Sequence, residues 1–190
     1  MTQVVTGLFD NYIDAETAVR HLEAAGIPRS DISLVASDAK GEHAARAGSG
    51  GDAAHDAGKG AEIGAVVGGA GGLLAGLGML AIPGVGPVVA AGWLGSMLVG
   101  ALGGAAVGGV AGGLVGALTD AGVPEEQAHV YAEGVRRGGT VVSARVDESL
   151  ASEARSILNR SRDVDINDRA SSYRTEGWTR FDENAKPYAL

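Results

Sequence analysis

The sequence predicts an α+β protein, a ferredoxin-like double β-α-β sandwich interrupted by a long glycine-zipper α-helical hairpin. Three observations predict it. Residues 3–36 and 140–166 each read as strand, helix, strand, and they echo one another: Val4-Val5-Thr6 matches Val141-Val142-Ser143, Asp10 matches Asp147, and Ala15-Glu16 matches Ser152-Glu153. Between them, Ile63 to Thr119 runs for 57 residues without an Asp, Glu, Lys or Arg. Glycine recurs there at every fourth position, as Gly60, Gly64, Gly68, Gly72 and Gly76 and then as Gly100, Gly104, Gly108, Gly112 and Gly116; Gly92 and Ser96 extend the second run backwards.

The first half occupies residues 1–36. Gln3 to Leu8 is β-branched with no breaker before Gly7, which predicts a strand. Asp10 or Asp14 can cap a helix to about Ala25, with Ala15, Ala18, Val19, Leu22 and Ala25 on one helical face. Gly26 stands where such a helix ends, and Pro28 follows. Ile32 to Ala36 predicts a second strand. Residues 37–59, rich in Gly, Ala, Asp and His, read as a flexible linker.

Residues 60–119 are the predicted hairpin. Residues four apart share one side of an α-helix, so each glycine run would give a bare ridge of the small-xxx-small kind on which a second helix backbone packs closely. Each glycine weakens an isolated helix by about 1 kcal/mol relative to Ala. Such helices therefore need packing or a low-dielectric medium. Pro83, Gly84, Gly86 and Pro87 mark the turn. The first arm, about Ala61 to Ile82, approaches the ~20 residues that cross ~30 Å of hydrocarbon. The second, about Val88 to Leu118, is longer than one crossing. Strand pairing between the two halves requires the insertion to start and finish on the same side.

Residues 120–167 hold a helix and the second β-α-β half. Pro124-Glu125-Glu126 opens a helix to Arg137, with acids at its positive end, and Gly138-Gly139 stops it. Thr140 to Val146 predicts a strand, Glu148 to Asn159 a helix, and Val164 to Ile166 a short last strand. One four-stranded sheet with helices on one face accommodates both halves. The polar tail, residues 168–190, holds four of the eight aromatics: Tyr173, Trp178, Phe181 and Tyr188. It reads either as a docking segment, for self or for a partner, or as a terminus lying on the domain surface.

The runs VTGLFDNYIDAETAVRHLEAAGIPRSDISLV, GGLLAGLGMLAIPGVGPVVAAG and GVPEEQAHVYAEGVRRGGTVVSARV, taken in that order, resemble the bacterial general stress protein family with its heat-induced stress protein domain. The likeness spans about residues 3–166, and the joint occurrence of AIPGVGP and GVPEEQAHVYAEGVRRGG is its most specific part. The resemblance implies stress-linked expression and no catalytic activity, and it supplies no catalytic residues.

Composition narrows the function further. A net charge of −8 and a pI near 4.9 argue against nucleic-acid binding, which needs a basic face. The chain has no Cys, which excludes disulfides, thiolate metal sites and Cys nucleophiles. Met1 to Phe9 lacks a basic start and an apolar run, so the expectation is a cytoplasmic protein, or one on the cytoplasmic side of the cell membrane. No phosphate loop is present: Gly58-Lys59-Gly60 lacks the Ser/Thr and the upstream glycine. His21, His43, His55 and His129 share no ligand spacing, and no G-x-S-x-G elbow occurs. Neither catalytic residue, cofactor, metal nor small-molecule substrate is expected. Arg136 and Arg137 read as cations at a helix end or as the cytoplasmic flank of a bilayer. Trp93 reads as an interfacial anchor or as a large knob over glycines.

Two functions fit. In one, a non-enzymatic stress-response protein self-associates through the hairpin, in or at the cytoplasmic membrane. In the other, the hairpins of several chains are buried in the core of a soluble homo-oligomer, such as a ring, shell or filament. A small-molecule or signal-binding regulator is a third class, for which no residue cluster speaks.

Overall fold

The computed structural model describes residues 2–39, 78–103, 113–186 and 188. Among these residues five strands form one antiparallel sheet: β1 (Thr2–Phe9), β2 (Ile32–Ser37), β3 (Gly78–Ile82), β4 (Gly86–Ala91) and β5 (Thr140–Asp147), in the order β1-β5-β2-β4-β3. The helices among the described residues are α1 (Tyr12–Ala24), α2 (Trp93–Gly103), α3 (Leu114–Asp120), α4 (Glu125–Arg136), α5 (Glu148–Arg160) and α6 (Ile166–Thr175), with a 3-10 turn at Arg29–Asp31.

The two predicted halves interleave. β5 lies between β1 and β2 and runs antiparallel to both, so β1-α1-β2 is a parallel pair split by an inserted strand. Val164 repeats the pattern, because it bridges Leu8 antiparallel and β5-α5-Val164 thereby encloses β1. The expected last strand is thus a single bridged residue. Asp165 ends it by accepting from the amides of Asn167 and Asp168 at 2.8 and 3.1 Å, which caps α6. At α1 the cap is Asn11 rather than Asp10 or Asp14, its side chain accepting from the Asp14 amide at 2.9 Å.

Helices cover both faces of the sheet, which corrects the expectation of one. α1 and α5 pack over Val5, Phe9, Leu34, Val142 and Ala144. α2, α3 and α4 lie on the opposite side, over Leu8, Val35, Val88 and Val141. Alternate residues of a strand point to opposite faces, and β2, inside the sheet, is buried at all six positions.

The uncharged segment does not form a helical hairpin across residues 78–91. β3 pairs with β4, Leu80 opposite Val88, and β4 pairs with β2. Pro83, Gly84, Gly86 and Pro87 do bracket a turn, but it is the turn of a β-hairpin, closed by the Val85 amide donating to the Ile82 carbonyl at 3.1 Å. Gly84 is required there: its φ is +75°, and a Cβ would lie 2.6 Å from the Asp182 carbonyl oxygen. The physical reason for the misreading is double coverage. Val88 and Ala90 face one helical layer and Val89 the other, so the strand reads as an unbroken apolar run, which periodicity does not separate from a helix.

Gly92 likewise belongs to no ridge. It makes the bend from β4 into α2, with φ +81° and no room for a Cβ, which would sit 2.2 Å from the Ile32 carbonyl oxygen. The next residues are locked to the sheet. The Leu94 amide donates to Ser33 Oγ at 2.8 Å, and Trp93 Nε1 donates to the Asp31 carbonyl at 3.0 Å. Arg145 stacks 4.3 Å from the Trp93 ring. Trp93 is therefore a core residue and not an interfacial anchor. Leu94, Leu98, Leu114 and Leu118 are fully buried in the same layer, each contributing about 2 kcal/mol. Among the described residues no helix is long and apolar enough to cross a membrane.

Candidate binding cleft at the β1 edge

Among the described residues β1 is an edge strand, most of whose outer edge no other strand bridges. The carbonyls of Leu8 and Thr6 face outward, accepting from the Val164 amide at 2.7 Å and the Tyr131 hydroxyl at 3.0 Å. The β1 register against β5 is unbroken from Thr2 to Phe9. In an antiparallel strand the N–H and C=O of one residue point to the same side, alternating along the chain. The even-numbered groups, those of Val4 included, therefore point away from β5. Among the described residues, Val164 is the only residue that bridges this edge.

A cleft of 780 Å³ runs along Thr2 to Thr6. One wall comes from the α4 layer, with Val123, Gln127 and Tyr131; the other comes from α5, with Arg155 and Asn159. The segment from Asp163 to Asn167 closes one end. Arg162 turns the chain into that segment with φ +69°, a conformation usually given to glycine just past a helix. Gly7 makes space beside it, since a Cβ there would meet Asp163 Cβ and Leu158 Cδ1 at 3.3 Å.

Two titratable groups sit in this wall. Burial pushes the Asp163 carboxyl above its ordinary range, and the neighbouring Asp165 charge adds to the shift. Burial, with Asp163 as a second cause, pushes the Tyr131 hydroxyl above the usual tyrosine range. Tyr131 thus stays a neutral donor to the Thr6 carbonyl. Arg155 lies at the far end of the cleft and donates to Gln3 Oε1 at 3.3 Å. The cleft accordingly carries carboxylates by Gly7 and a guanidinium by Gln3. Among the described residues no group of three or more His, Asp or Glu is placed to hold a metal ion.

The aromatic tail packs on its own chain. Ala170 and Tyr173 are buried against Val130 of α4, and Trp178 meets Tyr173 edge-on at 5.7 Å. Phe181, 4% exposed, reaches the β3–β4 turn at Gly84. Tyr188 remains 42% exposed beside Arg136 and Arg137. Both arginines serve a buried carboxylate: Glu133, 1% exposed, accepts from Arg136 at 3.0 Å and from Arg137 at 2.7 Å. Arg137 also meets Glu176 and lies 4.1 Å over the Tyr173 ring. Arg169 donates to both oxygens of Asp10, at 2.7 and 2.9 Å.

Of the predicted packing glycines, Gly60, Gly64, Gly68, Gly72, Gly76, Gly104, Gly108 and Gly112 lie outside the described residues; Gly100 falls in α2, and Gly116 in α3, half-buried. The predicted linker lies outside them from residue 40 onward. The structure brings together residues that the sequence did not single out: Gln3, Gly7, Tyr131, Arg155, Asp163 and Val164. Their only sequence-level trace is the pairing of a glycine inside strand β1 with a short apolar stub at Val164. The chain matches no family model, no curated protein and no solved structure.

Proposed function

We propose that the chain is a non-enzymatic stress-response protein that self-associates through the sheet edge built by its uncharged segment, without insertion into hydrocarbon. The stress link rests on the resemblance carried by AIPGVGP and GVPEEQAHVYAEGVRRGG. The frame is read as a ferredoxin-like sandwich, a reading supported by the interleaving of β1, β5, β2 and Val164 and extended here by a β-hairpin and a second helical layer.

One observation carries the association. β3, Gly-Met-Leu-Ala-Ile, carries no charge and is an edge strand among the described residues, with Met79 66% exposed. Proteins that stay single protect such edges with charge, proline or a bulge, and β3 has none of these. The leucines that follow it are already buried in the α2–α3 layer, which supports assembly in water over a bilayer.

Sizing by light scattering without detergent tests this. The wild type is expected to be larger than a monomer, and Met79→Lys, which puts a charge on the edge, is expected to run as a monomer with unchanged helix content. A monomeric wild type contradicts the reading. So does wild type that stays in membrane pellets through carbonate extraction, which would favour insertion.

A further inference from the structure

The β1 cleft is a different kind of edge, and what it suits follows from its shape. A β3-like partnership with a second copy fails there: β1 lies between the α4 wall and the α5 wall, and two edges set back in this way do not reach each other. A single extended chain does. Val164 already occupies the first position of an added row beside Leu8, and the chain then leaves the row because Asp165 caps α6. Among the described residues no strand bridges the next five residues of β1, about 17 Å of strand, and the Tyr131 hydroxyl takes one outward group there, the Thr6 carbonyl.

We propose that this cleft binds one extended peptide segment as an added antiparallel strand continuing the row that Val164 begins, with a basic residue at the segment's N-terminal end and an acidic residue four positions later. The pairing is main-chain: among the described residues the outward N–H and C=O of Val4 and the N–H of Thr6 have no partner. Main-chain pairing supplies affinity in strand addition, and alternate side chains supply specificity.

Register and direction follow from the charges. Residues directly opposite in an antiparallel pair share a face, so segment residues opposite Gly7, Val5 and Gln3 point to the α5 wall. Opposite Gly7 stands Asp163, and opposite Gln3 stands Arg155. β1 runs from Gln3 to Gly7, so an antiparallel segment meets the Asp163 and Asp165 carboxylates first and the Arg155 guanidinium last. A lysine opposite Gly7 and a glutamate opposite Gln3 complement both ends; the reverse placement sets like charges together. The residues between, opposite Thr6 and Val4, face Val123 and Ile166 of the other wall and take β-branched apolar side chains.

The test uses full-length protein carrying Met79→Lys, so that edge association at β3 neither blocks nor mimics binding. The probe is the peptide Lys-Val-Thr-Val-Glu-Val, capped at both ends, against its charge-swapped form Glu-Val-Thr-Val-Lys-Val, read by amide NMR shifts and titration. The first peptide is expected to bind, to move the Val4 and Thr6 amides, and to bind about fivefold more tightly than the swapped one, as expected for two exposed ion pairs. Arg155→Glu changes an exposed side chain and is expected to narrow or invert that preference. Val4→Pro removes an outward N–H that β5 does not use, a substitution that edge strands accommodate, and is expected to weaken both peptides. Absence of binding by both peptides at millimolar concentration overturns the proposal. So does equal binding by both that Arg155→Glu leaves unmoved, or shifts confined to residues away from β1.

Discussion

At one side of the sheet, β1 lies between two helical walls with Asp163, Asp165 and Arg155 beside it. At the other, β3 offers Gly-Met-Leu-Ala-Ile with no charge and an exposed Met79. Among the described residues both are edge strands of the same antiparallel sheet, each with one side that no described strand pairs. The difference shows how surroundings decide what an edge can accept. A recessed edge flanked by charge suits a single segment of matching sequence and direction; an uncharged edge with no wall among the described residues suits a second copy of itself.

Variants on the two sides test whether this division holds. The largest effect is expected at Glu133, whose carboxylate is buried and held by two arginines on the β1 side. Glu133→Ala removes the carboxylate that Arg136 and Arg137 share and is expected to cost about 4 kcal/mol in urea unfolding; a loss below about 1 kcal/mol would show that solvent and the remaining contacts compensate both arginines.

On the β3 side, Gly92→Ala forces a Cβ against the Ile32 carbonyl in a left-handed conformation and is expected to cost about 3 kcal/mol. Gly122→Ala has φ +96° with nothing within 4 Å, so only the conformational cost of about 1 kcal/mol applies. Equal losses at the two glycines would remove the argument that β4 and α2 are pinned to β2. Phe181→Ala is expected to cost about 3 kcal/mol, the usual range for a buried phenylalanine, and to raise hydrogen exchange in the β3–β4 hairpin while β1 stays protected.

The smallest effects belong to the wall of the cleft. Arg162 holds a left-handed backbone, so Arg162→Gly is expected to stabilise by about 1 kcal/mol, read as a higher Tm. Asp163 is held above its ordinary value of 3.8 by burial and by Asp165. A carboxyl that holds its proton more tightly when folded favours the folded state below its unfolded pKa, and this contribution is lost as pH rises through the folded value. Asp163→Asn removes that dependence. It is expected to be more stable than wild type at pH 7, with the gain disappearing in acid below about pH 4; a gain that persists there would point to packing rather than charge.

The framework was legible in the sequence because its signals are local. Gly26 and Pro28 after α1, the Pro124-Glu125-Glu126 start of α4, and β-branched Val4-Val5 and Val141-Val142 each fix an element from neighbouring residues. The uncharged segment was not legible. Val88 to Ala90 is covered on both faces, and its apolar run therefore loses the alternation that marks a strand. Spacing by four also misled at Gly92, which is a bend set by the Ile32 carbonyl and not a position on a helix ridge. The cleft was invisible for a further reason. Whether a strand is an edge depends on what pairs beside it, and no local pattern told that the expected last strand would bridge Leu8 through Val164 alone and leave Thr2 to Thr6 unpaired by any described strand on that side.

Because the chain has no cysteine, a single introduced thiol reports directly on which surface meets another copy. Met79 on β3 and Ile13 on α1 are equally exposed, at 66% and 65%. Treated with a short bismaleimide, Met79→Cys is predicted to give a covalent dimer in high yield and Ile13→Cys to stay monomeric. Equal cross-linking of the two, or none at Met79→Cys, would contradict association through the β3 edge.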